Sequence, residues 1–491
     1  MKKQVFLYFS ALLFTSILSG QELNHFFSTL AKNNLYNGSV LISKSDKNIF
    51  SNYYGYSNIE KKEKISDKSR FPIASVSKTF TSTAVLQLQQ KGKLKIDDMV
   101  QKYLPDFPYH NVTIRHLLSN TSGLGQYYNL FTEVMKNQPD KLISNQDIIP
   151  EFINQKVPLS FSPGDKWEYN NVNFCLAALI VEKISGMAFR DYLDKNIFKP
   201  ANMKDSFLPE NRRVKEQNQT ELYTYPNMYS MDLVNIENLE ATFPVERRSN
   251  FYGNGGIVST ALDLDKYQKA LFSYKLLNKK ELEEALTPAK LNDGKTASYR
   301  FEEKEIAYGL GWQMYTNENE KIVFHDGFIT GLTSMLMHNI TKNETVILLS
   351  NAANPVFVTA NEIFKIMDHK PYKMPVQNLS RVYGNLLESG SKEKANQLIE
   401  EYLKNPNSYE ATERDFNRLG YQFLRSQKTD NALLTFASAT LLFPNSSNIY
   451  DSYGEALLQV DKKEDAIKMY KKSIELDPTN ENGKKVLKQL L

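Results

Sequence analysis

The chain has 491 residues, 41% of them hydrophobic, and carries a net charge of +4 at pH 7. This length exceeds one ordinary domain, so at least two folded units are expected. Acidic and basic residues are interspersed, which excludes the concentrated basic stripe that nucleic-acid binding requires. The six histidines are scattered, the single cysteine has no partner within the chain, and no phosphate-binding or metal-ligand motif occurs. The sequence therefore predicts no cofactor and no metal site.

The N-terminus has the pattern of a secretory signal. Two lysines follow Met1, and an apolar run from Val5 to Leu18, short for a membrane span, leads into small residues. Residues 1–20 are therefore predicted to be a signal peptide, and the mature chain is expected to start near Gln21. We expect a periplasmic or secreted protein without a membrane span after removal of the signal.

Two strands and a helix are predicted next. Gly38–Ser43 and Asn48–Gly55 look like two strands that are joined by a charged hairpin loop. Pro72 bars a helix, but from Ser75 to about Gln90 apolar residues recur at helical spacing. A helix is therefore expected to begin near Ser75.

Ser75 and Lys78 are the first candidate catalytic pair. Residues three apart share a helix face, and the first turn of a helix favours developing negative charge. A serine hydroxyl is a weak nucleophile that an adjacent lysine can activate. A helix cap beside a solvated lysine has the same spacing, so the pair gains its meaning from the rest of the chain.

A second polar cluster holds Tyr169 and Asn171, just before the apolar helix predicted over Val172–Ile184. Segments of helix alternate with irregular stretches from Gln126 to about Asp265, which predicts a helical subdomain inserted between parts of a sheet. The asparagine amide could hold a lysine with its oxygen and a substrate carbonyl with its nitrogen. A nearby lysine is expected to lower the pKa of the tyrosine from about 10 to about 7 and make it a base. An aromatic residue before a helix also fits simple packing.

A second group of strands follows, and the chain segment ends in a helix. The strands are predicted at Ala307–Tyr315, Lys321–His325, Leu332–His338 and Thr345–Ser350, and the helix runs from Pro355 to about Asp368. Strands at both ends with helices between them predict an α+β fold. In it, a mainly antiparallel sheet is flanked by helices and its first and last strands meet.

The third candidate cluster, His325, Gly327 and Phe328, is placed where one of these strands ends. Gly327 has no side chain, so a substrate backbone could approach the strand edge as an added strand. The backbone N–H groups of Phe328 and Ser75 could then form an oxyanion hole. The alternative for His325 is a purely structural role, which is common for a single histidine on a strand.

After a linker at residues 371–379, residues 380–491 form a predicted helical repeat domain. Five positions recur after 34 residues: Leu419, Gly420, Ala432, Phe436 and Pro444 correspond to Tyr453, Gly454, Ala466, Tyr470 and Pro478. This pattern resembles the tetratricopeptide repeat, which has two antiparallel helices per unit. The resemblance implies either a groove for a protein or peptide partner, or a structural appendage or self-association surface.

The three polar clusters, taken together, resemble one family. Ser75-x-x-Lys78, Tyr169-x-Asn171 and His325-x-Gly327, in this order, are similar to the motifs of the serine beta-lactamase and penicillin-binding-protein-like family, in its class C and esterase-like branch. Flanking stretches agree: His116–Leu124, Phe161–Gly164, Trp167, Asn254–Gly256 and Tyr308–Trp312. The resemblance covers about Leu23–Asp368 and implies a hydrolase domain at residues 21–370.

The resemblance also implies roles for four residues. Ser75 would be the nucleophile, Lys78 its proton-transfer partner, Tyr169 the general base and leaving-group acid, and Asn171 an orienting amide. The implied function is an exported serine hydrolase that cleaves esters, amides or small peptides through an acyl-enzyme.

His325 departs from the pattern, because many penicillin-recognising relatives have lysine there. A histidine is mostly neutral near pH 7 and is a poor permanent partner for a substrate carboxylate. This favours the esterase and D-aminopeptidase relatives. A true class C-like beta-lactamase and a non-catalytic receptor that works through its repeats stay as alternatives.

Overall fold

The structure is a computed structural model that describes residues 20–212, 214–239, 249–301 and 303–491. The predicted signal peptide lies outside the described residues except for Gly20. The chain divides into two compact units, the first ending at Lys373 and the second at Leu491. The second unit also includes Thr224–Val234, which the sequence assigns to the first domain.

The strands of the first unit match the predicted α+β class. Their bounds are β1 Gly38–Lys44, β2 Lys47–Tyr54, β3 Tyr56–Asn58, β4 Glu63–Lys64, β5 Phe71–Pro72, β6 Tyr223–Thr224, β7 Val234–Asn235, β8 Val258–Ser259, β9 Ser298–Phe301, β10 Lys304–Tyr308, β11 Gln313–Asn317, β12 Glu320–Ile329, β13 Leu332–Asn339 and β14 Glu344–Ser350. Eight of them form one sheet in the order β2-β1-β14-β13-β12-β11-β10-β9. Neighbours throughout it pair antiparallel, and β1 pairs with β14 from Gly38 opposite Ser350 onward. The prediction that the first and last strands meet is confirmed.

Helices surround this sheet. The described α-helices of the first unit are residues 20–32 (α1), Ser77–Gln90 (α2), Ile114–Leu118 (α3), Tyr127–Asn137 (α4), Ile148–Gln155 (α5), Asn171–Ser185 (α6), Phe189–Leu193 (α7), Ala261–Phe272 (α8), Lys279–Ala285 (α9) and Val356–Met367 (α10). Helices α3 to α7 lie between β5 and β8 along the chain, which confirms the inserted helical subdomain. Every residue of β13 and β14 is buried, because both sheet faces are covered there.

Two predicted elements differ from the structure. The strand expected over Ala307–Tyr315 is two strands, β10 and β11, separated by a turn in which Gly309 N–H donates to Trp312 O. Within this turn Gly311 has φ +75°, and a Cβ there would lie 2.9 Å from Ser82 Cβ of α2. The break thus lets the chain pack against α2. The strand expected to end at His325 continues to Ile329.

Helix α2 is the buried centre of the first unit. It begins at Ser77, after a single 3₁₀ turn at Ala74–Val76, two residues later than predicted. Its hydroxyls bond main-chain groups of neighbouring loops: Thr81 Oγ1 donates to Gly253 O at 2.7 Å and Ser82 Oγ to Leu310 O at 2.5 Å. These bonds explain why a buried helix is rich in serine and threonine.

No single helix among the described residues is both long and apolar enough to cross a membrane. The pair Asn171–Ser185 and Phe189–Phe198 meets the length and composition criteria only when joined, and it is bent by 77°. Most of the first helix of this pair is buried in the core.

The second unit is a stack of helices: α11 Leu379–Glu388, α12 Lys392–Lys404, α13 Glu413–Arg425, α14 Thr429–Leu442, α15 Ser447–Leu458, α16 Lys463–Leu476 and α17 Glu481–Leu490. The recurring glycines have a physical reason. A Cβ on Gly420 would lie 2.5 Å from the ring of Phe436, and one on Gly454 would lie 2.9 Å from the ring of Tyr470. In each pair the aromatic ring of one helix needs a glycine on the neighbouring helix, and this explains part of the 34-residue spacing.

The segment Thr224–Val234 packs against these helices. Its Tyr229 is buried and stacks on Phe423 with ring centroids 4.9 Å apart. Arg381 Nη1 donates to Ser230 O at 2.8 Å, and Met228 N–H donates to the side chain of Gln422. A segment of the chain itself therefore lies between α11 and α13, which the repeat pattern did not predict.

Candidate active site

Ser75 lies in the 3₁₀ turn that precedes α2, and strands β12 and β13 hold this turn in place. The residue before it, Ala74, has φ +44°, a left-handed value that needs support from its surroundings. Ser334 Oγ donates to Ile73 O at 2.8 Å. A Cβ on Gly327 would lie 2.5 Å from Ile73 O and 3.0 Å from Ala74 Cβ. The glycine expected to admit a substrate backbone thus also admits the turn that carries the serine.

Lys78 lies wholly buried beside Ser75. Its Nζ donates to Ser75 Oγ at 3.0 Å, to Asn171 Oδ1 at 2.7 Å and to Asn254 O at 2.8 Å. None of the three acceptors carries a charge, and burial lowers the pKa of Lys78 to about 7. Near neutral pH this amine is therefore able both to accept and to give up a proton.

Tyr169 lies on the other side of the same hydroxyl. Its phenol hydrogen-bonds Ser75, and Lys78 Nζ lies 4.8 Å from the centre of its ring. Burial raises the pKa of Tyr169 above its ordinary value, so the group stays protonated. The prediction that the pKa of Tyr169 falls to about 7 was wrong. Burial lowers the pKa of Lys78, so Lys78 is not a permanent cation that could stabilise the phenolate of Tyr169. Lys78, not Tyr169, is the group with a pKa near neutrality.

Asn171 is the first residue of α6, and the side chain of the preceding Asn170 caps this helix. The amide oxygen of Asn171 accepts a hydrogen bond from Lys78, as the sequence predicts. Its Nδ2 donates to Tyr127 OH at 3.3 Å. The amide is therefore oriented with its oxygen toward the lysine.

His325 is buried on β12. Its Nδ1 donates to the main-chain oxygen of Asp326 at 2.6 Å, which leaves Nε2 to accept from Tyr308 OH at 3.3 Å. Burial lowers the pKa of His325 to about 4, so the imidazole is neutral at physiological pH. Its ring centre lies 6.3 Å from that of Tyr169. The structure thus places His325, from the third predicted cluster, beside the residues of the first two clusters.

Beyond Phe324, the edge of β12 beside these residues has no partner strand among the described residues. Strand β11 pairs with β12 only as far as Gln313 opposite Phe324, whereas β12 runs on to Ile329. Phe328 lies on this extension with its side chain 60% exposed. An extended substrate could pair with this part of β12, as the sequence-based hypothesis requires.

Sequence reasoning did not assign a role to three features of the site. These are the carbonyl of Asn254, the hydroxyl of Tyr308 and the left-handed Ala74. Asn254 belongs to the Asn254–Gly256 stretch and Tyr308 to the Tyr308–Trp312 stretch, so both were noticed as patterns. No sequence signal shows that a main-chain oxygen will face Lys78.

The described residues offer neither a metal site nor a reactive thiol. No group of three or more His, Cys, Asp or Glu side chains there is placed to hold a metal ion. Cys175 is buried, and burial raises the pKa of its thiol to about 12, so it is not poised as a nucleophile.

Comparison with known proteins agrees with this geometry. The profile of the Beta-lactamase family matches residues 23–370. Penicillin-binding protein 4* of Bacillus subtilis (strain 168) is 32% identical over 361 residues, which are 72% of this chain and 77% of that protein. The penicillin-binding protein from Bacillus halodurans superposes with a TM-score of 0.56 at 26% identity, over 70% of this chain and 98% of that one. D-amino acid amidase from Ochrobactrum anthropi SV3 shares the fold, with a TM-score of 0.58 at 20% identity over 71% and 99% of the two chains.

Proposed function

This chain belongs to the beta-lactamase family, and from that membership and the geometry of the site we propose that it is a serine hydrolase that forms an acyl-enzyme on Ser75. One observation carries the proposal. A buried lysine with its pKa lowered to about 7 lies 3.0 Å from the serine hydroxyl, and a protonated tyrosine bonds the same hydroxyl. A nucleophile, a proton acceptor and a proton donor therefore meet at one oxygen.

In the acylation step, the neutral amine of Lys78 takes the proton of Ser75 as Oγ bonds to the substrate carbonyl carbon. The carbonyl oxygen becomes an oxyanion, for which the N–H groups of Ser75 and Phe328 are the proposed donors. The intermediate collapses when the phenol of Tyr169 protonates the leaving group. The ammonium of Lys78 then returns a proton to Tyr169.

Deacylation repeats these proton transfers with water as the nucleophile. Water gives a proton to Lys78 through Tyr169 as its oxygen bonds to the acyl carbon. The bond from this carbon to Ser75 Oγ then breaks, which releases the acid, and Ser75 regains its proton. Tyr169 acts in both steps as a relay and not as a free phenolate, because burial raises its pKa. Lys78 is the proton store of the cycle.

The proposed substrates are esters, amides or small peptides. A neutral His325 offers no permanent cation to the carboxylate of a penicillin, and this makes a true beta-lactamase the less favoured alternative. A non-catalytic receptor is disfavoured, because Ser75, Lys78 and Tyr169 are all present and in contact.

A substrate panel tests this proposal. Purified protein is assayed with nitrophenyl esters, D-amino acid amides and the cephalosporin nitrocefin, beside a Ser75→Ala variant. Ester or amide turnover that Ser75→Ala abolishes supports a serine hydrolase. Nitrocefin as the best substrate would favour the beta-lactamase alternative, and turnover that survives Ser75→Ala would reject the nucleophile.

The pH dependence of kcat/KM follows from Lys78. The neutral amine is the active form, and with a pKa of about 7 it makes up about a tenth of the enzyme at pH 6, half at pH 7 and nine-tenths at pH 8. Activity is therefore expected to rise with pH through about 7 and then level off. His325 titrates near 4 and adds no second step in this range. A profile that falls between pH 6 and 8 would contradict the assignment.

We also propose that the protein is exported and that its repeats hold its own chain. The charged and then apolar start of the sequence supports export. Mass spectrometry of the mature N-terminus should find Gln21 or a close neighbour, and an intact Met1 would contradict it.

For the repeats, the support is the packing of Thr224–Val234 against α11 and α13. Arg381→Ala removes the hydrogen bonds to Asn227 O and Ser230 O and the guanidinium stacked 3.8 Å from the ring of Tyr225. Hydrogen exchange of residues 224–234 in the full chain is expected to rise at least tenfold in this variant, with Arg414→Ala as an exposed control. If the amides of residues 224–234 exchange freely in the wild type, this segment does not occupy the groove, and the groove would instead be a binding site for a partner protein.

A further inference from the structure

One side chain at the open edge of β12 has no role in the chemistry proposed above. Asp326 lies between His325 and Gly327, and successive side chains of a strand point to opposite faces. The imidazole of His325 and the carboxylate of Asp326 therefore flank the same strand edge from its two faces. A substrate that pairs with this edge must lie beside both groups.

The carboxylate of Asp326 is held in a fixed position. Gln313 Nε2 donates to Asp326 Oδ1 at 2.7 Å, and Gln313 Oε1 in turn accepts from the hydroxyl of Tyr299. Tyr299 stacks on Trp167 with ring centroids 4.8 Å apart and planes within 10°. Since Trp167 is two residues from Tyr169, this chain of contacts ties Asp326 to the wall of the active site.

Asp326 is half-buried and has no cationic partner among the described residues. Within the described part of the chain it forms no ion pair, and its second oxygen, Oδ2, accepts no hydrogen bond. The amine of Lys78 is committed to Ser75, Asn171 and Asn254. Burial lowers the pKa of Lys78 and raises that of Tyr169; the negative charge of Asp326 opposes the first shift and adds to the second.

We propose that Asp326 is a binding site for a substrate ammonium group, so that the acyl donors of Ser75 carry a free amino group close to the scissile carbonyl. The substrate class is thus amino-acid esters and amides, or peptides with a free N-terminus. A half-buried carboxylate with a free oxygen forms a strong charge-assisted hydrogen bond with an ammonium and repels a carboxylate. This inference rests on the proposed acyl-enzyme function and names its substrate class.

The test compares three substrates that differ only in charge. Alanine p-nitroanilide, its N-acetyl derivative and its N-succinyl derivative present a cation, a neutral group and an anion at the same position, and both configurations of alanine are used at pH 7. The wild type is expected to prefer the cation over the anion by about 10–100-fold in kcat/KM, with the neutral compound between them.

Asp326→Asn removes the charge and keeps an oxygen to accept from Gln313. Its kcat/KM for the cationic substrate is expected to fall about tenfold or more, to stay within about threefold for the neutral one, and to rise for the anionic one. Asp165→Asn is the matched control, because Asp165 also accepts from a side-chain amide, that of Asn292 at 2.8 Å, but is exposed and outside the site. This control is expected to leave all three values unchanged.

Equal loss on all three substrates in Asp326→Asn would show a structural role and overturn the proposal, as would a wild type without charge preference. Both results leave the serine hydrolase intact if Ser75 is still acylated. Protection of Ser75 against a fluorophosphonate by the same three compounds measures binding without turnover and should follow the same order. Failure of Ser75 to react with any acyl donor or with the fluorophosphonate would instead reject the proposed function.

Discussion

Lys78→Met is expected to lower kcat/KM by about 10³-fold or more on every substrate while the protein stays folded. Methionine has nearly the length of lysine and fills the same buried space, but it cannot take the proton of Ser75. It also removes a buried amine whose pKa is lowered because the charged form is poorly solvated there. The loss should therefore appear in catalysis and not in folding.

The comparison needs kcat/KM, the pH profile and a thermal unfolding curve. The residual activity of Lys78→Met should no longer show the rise through pH 7, because the titrating amine is gone. Lys266→Met is the control, since Lys266 is a partly exposed lysine of α8 paired with Asp263. Activity of Lys78→Met within tenfold of the wild type would show that another group accepts the proton.

Tyr169→Phe is expected to separate two kinds of substrate. An amine leaving group must be protonated as it departs, whereas nitrophenolate leaves as an anion. Removing the phenol should therefore lower kcat/KM for amides by roughly 10²–10³-fold and for nitrophenyl esters by about tenfold. The difference follows from the contact of Tyr169 with Ser75 and from the raised pKa that keeps its proton in place.

Tyr192→Phe serves as the control for Tyr169→Phe. Tyr192 is buried and its hydroxyl donates to Ala84 O at 3.4 Å, but it lies outside the site. Equal losses on amides and nitrophenyl esters in Tyr169→Phe would mean that the phenol orients the serine and does not protonate the leaving group. Kinetics of both substrates on one preparation of each variant decide between these roles.

The regular parts of the fold were predictable because a local pattern determines them. The helix predicted from Ser75 to about Gln90 is helix α2, Ser77–Gln90, and the meeting of β1 with β14 followed from strands at both ends of the domain. The break at Gly309–Trp312 was not predictable, because the chain turns there to pack against α2, a contact distant in sequence.

The candidate site was predicted less completely than the fold. The family motifs named the side chains that meet, but electrostatics depends on burial that only the three-dimensional structure gives. The pKa of Tyr169 was therefore expected to fall, while burial raises it and lowers that of Lys78. In the same way the carbonyl of Asn254 and the packing of Thr224–Val234 depend on main-chain positions that no residue type reveals.

The most direct measurement is to trap the acyl group. The protein is mixed with a slowly hydrolysed ester, quenched in acid, digested and mapped by mass spectrometry. One adduct with the mass of the acyl group is expected on Ser75, and none is expected in Ser75→Ala. An adduct on another residue, or steady turnover that never leaves an adduct on Ser75 under any quench time, would contradict the assignment of Ser75 as the nucleophile.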